Sequence, residues 1–310
     1  MISPDAADVE ISICIPAYAR PAALRMAIES ALGQTFPVSE ILIGDDSGDL
    51  RHVVEEIDDP RVIYIRNDPR LGMANNWNSL LDQARGRYLA LLMDDDVLAP
   101  TFVEKCLEGF SLAEVGISFA NHAFFDDGER RWVRECALPA GLHRNFLVKL
   151  LELRPVAVSA AIMRREVWNQ VRPLPDILTA DLYMHAQAAS AGWSFLYVDE
   201  PLMSYRVHSG QLSQSKTQFR DDGVRVLELL KFDSAEAETI RKHALARALV
   251  SRAGGRLQVG EVNTARQDIN RARRTSIVTT LTARGIAITI FSLLPSRWHR
   301  LVLRFVQKRP

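Results

Sequence analysis

Residues 88–96 read YLALLMDDD, an apolar run from Tyr88 to Met93 that passes directly into Asp94, Asp95 and Asp96. A short continuous apolar run that ends at a turn is the pattern of a strand buried on both faces. The same pattern occurs three times upstream. EISICI (10–15) ends at Pro16, EILIG (40–44) ends in Asp45, Asp46, Ser47 and Gly48, and RVIYI occupies residues 61–65. Helical stretches separate these runs: 21–32, which opens on a proline suited to a first helical turn, then 51–57 and 75–84. Strands alternating with helices at this spacing predict βαβ units, hence an α/β fold with a mostly parallel, Rossmann-like sheet flanked by helices. Ligands of such sheets sit beyond the carboxyl ends of the strands. Two of the four strands end there in acidic clusters.

Further along, residues 116–120, 157–163 and 194–198 read as strands and 181–191 as a helix. From about Gln218 onward the pattern is helical, with a hairpin over 244–273 that turns at Gly260. The expected division is a catalytic domain over 1–215 and a helical C-terminal region over 216–310. The chain has 310 residues, 47% of them apolar and 25% charged, so it can bury a sizeable core. Its formal net charge is zero, but residues 271–310 hold nine Lys and Arg and no Asp or Glu. Cys14, Cys106 and Cys136 form no CxxC pair and no even-numbered disulfide set, which predicts a reduced, cytoplasmic setting. The acidic start MISPDAADVE lacks the features of a secretory signal.

Three adjacent carboxylates repel one another, and each would favour its protonated form. A hard divalent cation such as Mg²⁺ or Mn²⁺ relieves that conflict. The bland alternative is a solvated acidic turn that caps the following helix, near Pro100. The repulsion argument favours the metal, and on it Asp95→Ala is expected to raise the metal-free melting temperature. For Asp45 and Asp46, ordinary turn chemistry stands beside a carboxylate that accepts hydrogen bonds from a nucleobase or ribose. Asp181 opens a helix, where a carboxylate caps and stays ionised. Thr179 could supply the cap instead.

In order and spacing these segments resemble the family 2 glycosyltransferases of the GT-A fold. The resemblance rests on ISICIPAYARP (11–21), SALGQTFPVSEILIGDDSGD (30–49), LGMANNWNSLLDQARGRYLALLMDDDVLAP (71–100), TADLYMHAQAASAGW (179–193) and YRVHSGQLS (205–213). It implies a nucleotide-sugar-dependent, inverting transferase. Pro16, Tyr18, Arg20, Asp46 and Asp94 would hold the nucleotide. Asp95 would be the main ligand of Mn²⁺ or Mg²⁺, with Asp96 and His208 beside it, and Asp181 the general base. The implied partners are a nucleoside-diphosphate sugar and a saccharide or lipid-linked acceptor of cell-surface glycan synthesis. Nucleic acid is not among them. The chain departs from the family pattern at Met93, where an Asp is usual, at Ala180, where a Glu precedes the base, and at Ala19, where an Asn is usual.

Two other enzyme readings lack their signature. A sugar nucleotidyltransferase or a dinucleotide oxidoreductase needs a glycine-rich loop after the first strand, and this chain has PAYARP. A degenerate transferase that only binds nucleotide, or a membrane scaffold, is the non-enzymatic alternative, suggested by Met93 and Ala180. In the tail, Trp298, Leu301, Val302 and Phe305 form one apolar face with Arg297, Arg300 and Arg304 around it. That pattern predicts peripheral attachment of 277–310 to an anionic membrane surface. Packing of the tail on the catalytic domain, or in a homodimer, is the alternative.

Overall fold

The computed structural model describes residues 10–126, 131–208, 211 and 216–293. The amphipathic segment around Trp298 lies outside them. The chain divides into two compact units, Met1–Asp176 with Ala180–Gln211, and Ile177–Thr179 with Leu212–Pro310.

The first unit begins β1 (Ile11–Ala17), α1 (Pro21–Leu32), β2 (Glu40–Asp45), α2 (Arg51–Ile57), β3 (Val62–Arg66), α3 (Met73–Gln83) and β4 (Tyr88–Leu91). It continues with β5 (Val97–Leu98), α4 (Phe102–Leu107), β6 (Val115–Asp126), β7 (Arg131–Val133), β8 (Gly141–His143), α5 (Leu147–Leu153), β9 (Ala161–Arg164), α6 (Arg165–Val171), α7 (Ala180–Ser190) and β10 (Ser194–Val207). All ten strands form one sheet in the order β3-β2-β1-β4-β9-β6-β10-β5, with β7 on β6 and β8 on β10. The β3-β2-β1-β4 half and the long β6–β10 ladder are parallel. β9 and the short strands β5, β7 and β8 pair antiparallel. This is the α/β architecture that the apolar runs predict. β1 and β2 are buried almost throughout because helices cover both faces.

The strand expected at 157–163 is shorter. Val158–Ala160 form a 3₁₀ turn and β9 starts at Ala161. The strand expected at 194–198 is longer and runs to Val207, passing Pro201 by way of register shifts against β6. A proline is tolerated inside a strand at such an irregularity.

The second unit contains α8 (Lys216–Leu229), α9 (Ala235–Gln258), α10 (Val262–Thr275), α11 (Ile277–Thr280) and α12 (Ala283–Leu293). α9 and α10 form the hairpin, and Gly260 takes the left-handed conformation between them (φ 87°) that glycine adopts without penalty. Ala253, Leu257, Ala265 and Ile269 bury its seam, with Ile288 of α12 packed against them. Asp268, buried in the hairpin, is held by Arg252 at 2.7 Å and Arg256 at 2.9 Å. Among the described residues no helix is long and apolar enough to cross a membrane.

One close approach in the first unit has a direct consequence. A Cβ on Gly44, at the end of β2, would stand 2.1 Å from Asn76 Oδ1 of α3. Asn76 Nδ2 donates to the Gly44 carbonyl at 2.7 Å, and Asn67 Nδ2 donates to Asn76 Oδ1 at 3.0 Å. Gly44→Ala is therefore expected to cost about 1–3 kcal/mol of stability, as overpacking of a tight site does. The midpoint of urea unfolding checks it.

Candidate active site

The two acidic clusters end neighbouring parts of the parallel sheet, since β2 and β4 both pair with β1. Within each cluster the aspartates have separate tasks. Asp45 Oδ1 accepts from Ser47 N, Ser47 Oγ and Gly48 N, and Oδ2 accepts from Leu50 N and Tyr64 Oη. Burial favours its neutral form, but these hydrogen bonds outweigh burial and hold its pKa below the usual carboxylate value. Asp45 builds the turn. Asp46 anchors a different segment: Oδ1 accepts from Asn67 Nδ2 at 2.7 Å and Leu71 N at 3.2 Å, and Oδ2 from Gly72 N at 2.8 Å. A carboxylate has about four acceptor positions, so one remains for an incoming donor.

Arg70 lies on the segment that Asp46 anchors. Its guanidinium is 4.2 Å above the ring of Tyr18, and its Nε is 4.0 Å from Asp46. Tyr18 is half exposed, and Pro16 stands opposite Gly44 in the β1–β2 register. Arg70 thus joins Tyr18 and Asp46 beyond the ends of β1 and β2, near Pro16 in the β1–β2 register.

The triplet after β4 separates in the same way. Asp94 Oδ2 accepts from Tyr18 N at 3.0 Å and Oδ1 lies 3.4 Å from Arg20 Nη1. Burial raises its pKa to about 6, against the opposing effects of that hydrogen bond and of Arg20. Asp96 is almost fully buried. Its Oδ2 accepts from Ser159 Oγ at 2.7 Å and its Oδ1 from Arg206 N at 3.2 Å. Burial first, and the charge of Asp95 second, push its pKa to about 8, so it is largely neutral at pH 7. Asp95 pairs with Arg20, whose Nη1 contacts its Oδ2, and with His208, whose Nε2 lies 3.0 Å from the same oxygen.

The sequence reading groups Asp96 with Asp95 as a ligand. In the structure its two oxygens are engaged by Ser159 and Arg206, and His208 is the residue that reaches Asp95. Pairing makes this possible. β10 lies antiparallel to β5, with Met203 opposite Leu98 and Ser204 opposite Val97. The residues that follow Ser204 therefore run back along the acidic loop. Arg206 Nε donates to the Asp95 carbonyl at 3.2 Å, and His208 follows. Among the described residues no three His, Cys, Asp or Glu side chains form a metal cage. Asp95 and His208 supply one carboxylate and one imidazole, a donor pair that suits Mn²⁺ when phosphate oxygens and water complete its shell.

Asp181 lies in the first turn of α7. Burial is the largest influence on its carboxyl and raises its pKa. Hydrogen bonds from the backbone and the charge of Arg154 act the other way. Arg154 ends α5 in the left-handed conformation (φ 46°), and its carbonyl accepts from Arg134 Nη2 at 3.2 Å. Arg70, Arg154, Ser159 and Arg206 were not singled out from the sequence. Arg70 lies in a loop without a motif, Arg154 at the end of α5, and Ser159 in the 3₁₀ turn before β9, while Arg206 reaches the acidic loop only because β10 is placed beside β5.

The sequence matches the family described as "Glycosyl transferase family 2" over residues 12–172, more than half of the chain. The chain belongs to that family. It is a glycosyltransferase. An Escherichia coli protein described as UDP-Glc:alpha-D-GlcNAc-diphosphoundecaprenol beta-1,3-glucosyltransferase WfaP is 29% identical over 208 residues, which is 66% of this chain and 80% of that protein. Two solved structures share the fold. S. aureus TarS 1-349 in complex with UDP-GlcNAc superposes with a TM-score of 0.66 at 15% identity, covering 94% of this chain and 92% of TarS 1-349. The mannosyltransferase PcManGT from Pyrobaculum calidifontis, in complex with GDP-Man and Mn2+, gives 0.61 at 14% identity, over 94% of the transferase and 89% of PcManGT. The GT-A-type fold expected from the sequence motifs is present.

The geometry changes one expectation about the acidic loop. Asp95 is ion-paired with Arg20 and Asp96 is largely uncharged, so removing Asp95 takes away attraction along with repulsion. Asp95→Ala is expected to abolish Mn²⁺-dependent binding of nucleoside diphosphate without raising the metal-free melting temperature. Calorimetric titration with UDP, with and without Mn²⁺, and a thermal melt check the two halves.

Proposed function

We propose that this transferase moves a hexosyl group from a nucleoside-diphosphate sugar to a hydroxyl of a lipid-diphosphate-linked saccharide, with inversion, during bacterial surface-polysaccharide assembly. The work takes place at the inner surface of the plasma membrane. The observation that carries the reading is the Asp95–His208 pair beside Arg20, at the carboxyl end of a parallel sheet and next to the Tyr18–Asp46 pocket. The E. coli relative supports it, because its description names UDP-Glc as donor and a diphosphoundecaprenol-linked GlcNAc as acceptor. The β linkage named there is what a single displacement on an α-configured donor yields.

The chain's own residues divide the task. The stacked Tyr18 ring and Arg70 guanidinium lie together along one side of the nucleobase, and the remaining acceptor position of Asp46 receives a base N–H. Arg20 presents positive charge to the diphosphate. A divalent cation held by Asp95 and His208, when bound, supplies Lewis-acid neutralisation of the leaving diphosphate. Asp181 takes the proton from the acceptor hydroxyl, and the oxygen forms its bond to the anomeric carbon. The bond from that carbon to the diphosphate oxygen breaks, and the nucleoside diphosphate departs with the electron pair. No covalent enzyme intermediate is needed.

A base must be ionised to act. Burial raises the pKa of Asp181 and Arg154 opposes that rise. The rate should therefore increase with pH through a value above the ordinary carboxylate range, and Arg154→Met should move this acid limb of kcat/KM higher. Asp181→Asn should retain donor binding and lose about 10²–10⁴-fold in kcat. UDP release from UDP-glucose in the presence of a GlcNAc-diphosphate lipid measures both. Transfer at the wild-type rate by Asp181→Asn would place the base elsewhere.

A further inference from the structure

The last two described helices of the second unit expose the wrong residues for a water-facing surface. α12 turns Ile288 and Ser292 inward, where Ile288 packs on the α9–α10 seam and the Ser292 carbonyl accepts from Arg266 Nε at 2.7 Å. Its outward positions Ile286, Ile290 and Leu293 are spaced four and three residues apart, so they form a single stripe. Surface helices place polar residues there. α11 and the turn after it add Ile277, Val278 and Leu281. Ile277, Val278, Leu281, Ile290 and Leu293 each keep 58 to 71% of their surface exposed. Four of these apolar side chains, Ile277, Leu281, Ile286 and Ile290, share a groove of about 470 Å³ with Arg273. The patch is therefore continuous. Scattered exposed apolar residues need no explanation, but a continuous patch with a polar edge marks a docking surface.

Charge identifies what docks. Arg273 and Arg274, both exposed, end α10 beside the patch, and no acidic residue occurs from 271 to 310. In a two-fold dimer the same patch would face itself. Its arginines would then oppose arginines with no carboxylate between them. An anionic lipid surface satisfies both features at once, with apolar side chains in the acyl boundary and guanidinium groups at the phosphates. We infer that the outward face of α11 and α12 is a peripheral docking surface for an anionic bilayer. The reading above needs the enzyme to meet a lipid-borne acceptor, and this surface supplies the meeting place. It rests on the patch itself, and its test involves no sugar.

The experiment is co-sedimentation of the full chain with vesicles of phosphatidylcholine alone, or of phosphatidylcholine mixed with phosphatidylglycerol. Binding to the mixed vesicles, weak binding to the neutral ones, and weakening by salt are expected. Arg273→Gln with Arg274→Gln should weaken binding about tenfold. Leu281→Asp with Ile290→Asp should remove it while UDP binding is retained. Both of the latter sites are exposed, so circular dichroism should be unchanged. Equal binding to both vesicle types, or undiminished binding by the Asp variant, overturns the proposal. So does a wild-type dimer, seen by sedimentation velocity, that the Asp variant converts to a monomer, because the face then joins two copies. A wild-type chain that binds the mixed vesicles but no UDP supports this surface and counts against the catalytic reading alone.

Discussion

The antiparallel contact between β10 and β5 governs the centre of the first unit. β5 has two residues and follows the acidic triplet directly. β10 is fourteen residues long and is held along β6 over most of that length. A long, well-anchored strand thus fixes a very short one, and with it the loop that carries Asp94, Asp95 and Asp96. From this contact follow the reach of Arg206 N to Asp96, of Arg206 Nε to the Asp95 carbonyl, and of His208 to the Asp95 carboxylate. Without β10 in register, the imidazole and the carboxylate would be more than a hundred residues apart with nothing to join them.

Three consecutive carboxylates at a buried strand end present an electrostatic problem that admits several solutions, and the fold uses a different one for each. Asp94 receives a backbone hydrogen bond and the nearby Arg20. Asp95 is paired with Arg20 and His208. Asp96 is buried so deeply that its neutral form prevails near pH 7. The result removes one of the three adjacent charges, that of Asp96, and gives the other two carboxylates partners. The second acidic pair shows the same division, with Asp45 consumed by its own turn and Asp46 left with capacity to spare.

The parallel half of the sheet was legible in the sequence because burial on both faces demands uninterrupted apolar runs, as in EILIG and YLALLM. The acidic loop was legible for the same reason, since three Asp stand out directly after such an apolar run. Among the elements that escaped notice are three short strands held by neighbours. Val97–Leu98, Arg131–Val133 and Gly141–His143 are two or three residues long and exist only as partners of β6 and β10. β10 extends beyond the apolar run at 194–198 because register shifts against β6 let the strand continue past Pro201. The family resemblance picks out Asp46 and Asp95, but the residues alone do not say how the aspartates of each cluster differ. Asp45 and Asp46 differ by what lies twenty residues away, Tyr64 for one and Asn67 for the other.

The segment from Asn67 to Gly72 is tied to the body at its two ends. The Asn67 backbone donates to the Asp45 carbonyl and its side chain to Asp46, while Leu71 and Gly72 donate to Asp46 again. Residues 68–70 between those ties contribute no hydrogen bond to the anchoring carboxylate, yet Arg70 is the residue that covers Tyr18. The segment is in effect a replaceable cassette. On the proposed placement of the base beside Tyr18, three positions between fixed endpoints can be varied while the acidic loop and the β10–β5 contact stay untouched. Among transferases sharing this frame, a change of donor nucleotide would then be a change of insert, achieved with few substitutions and little disturbance of the chemistry beside it.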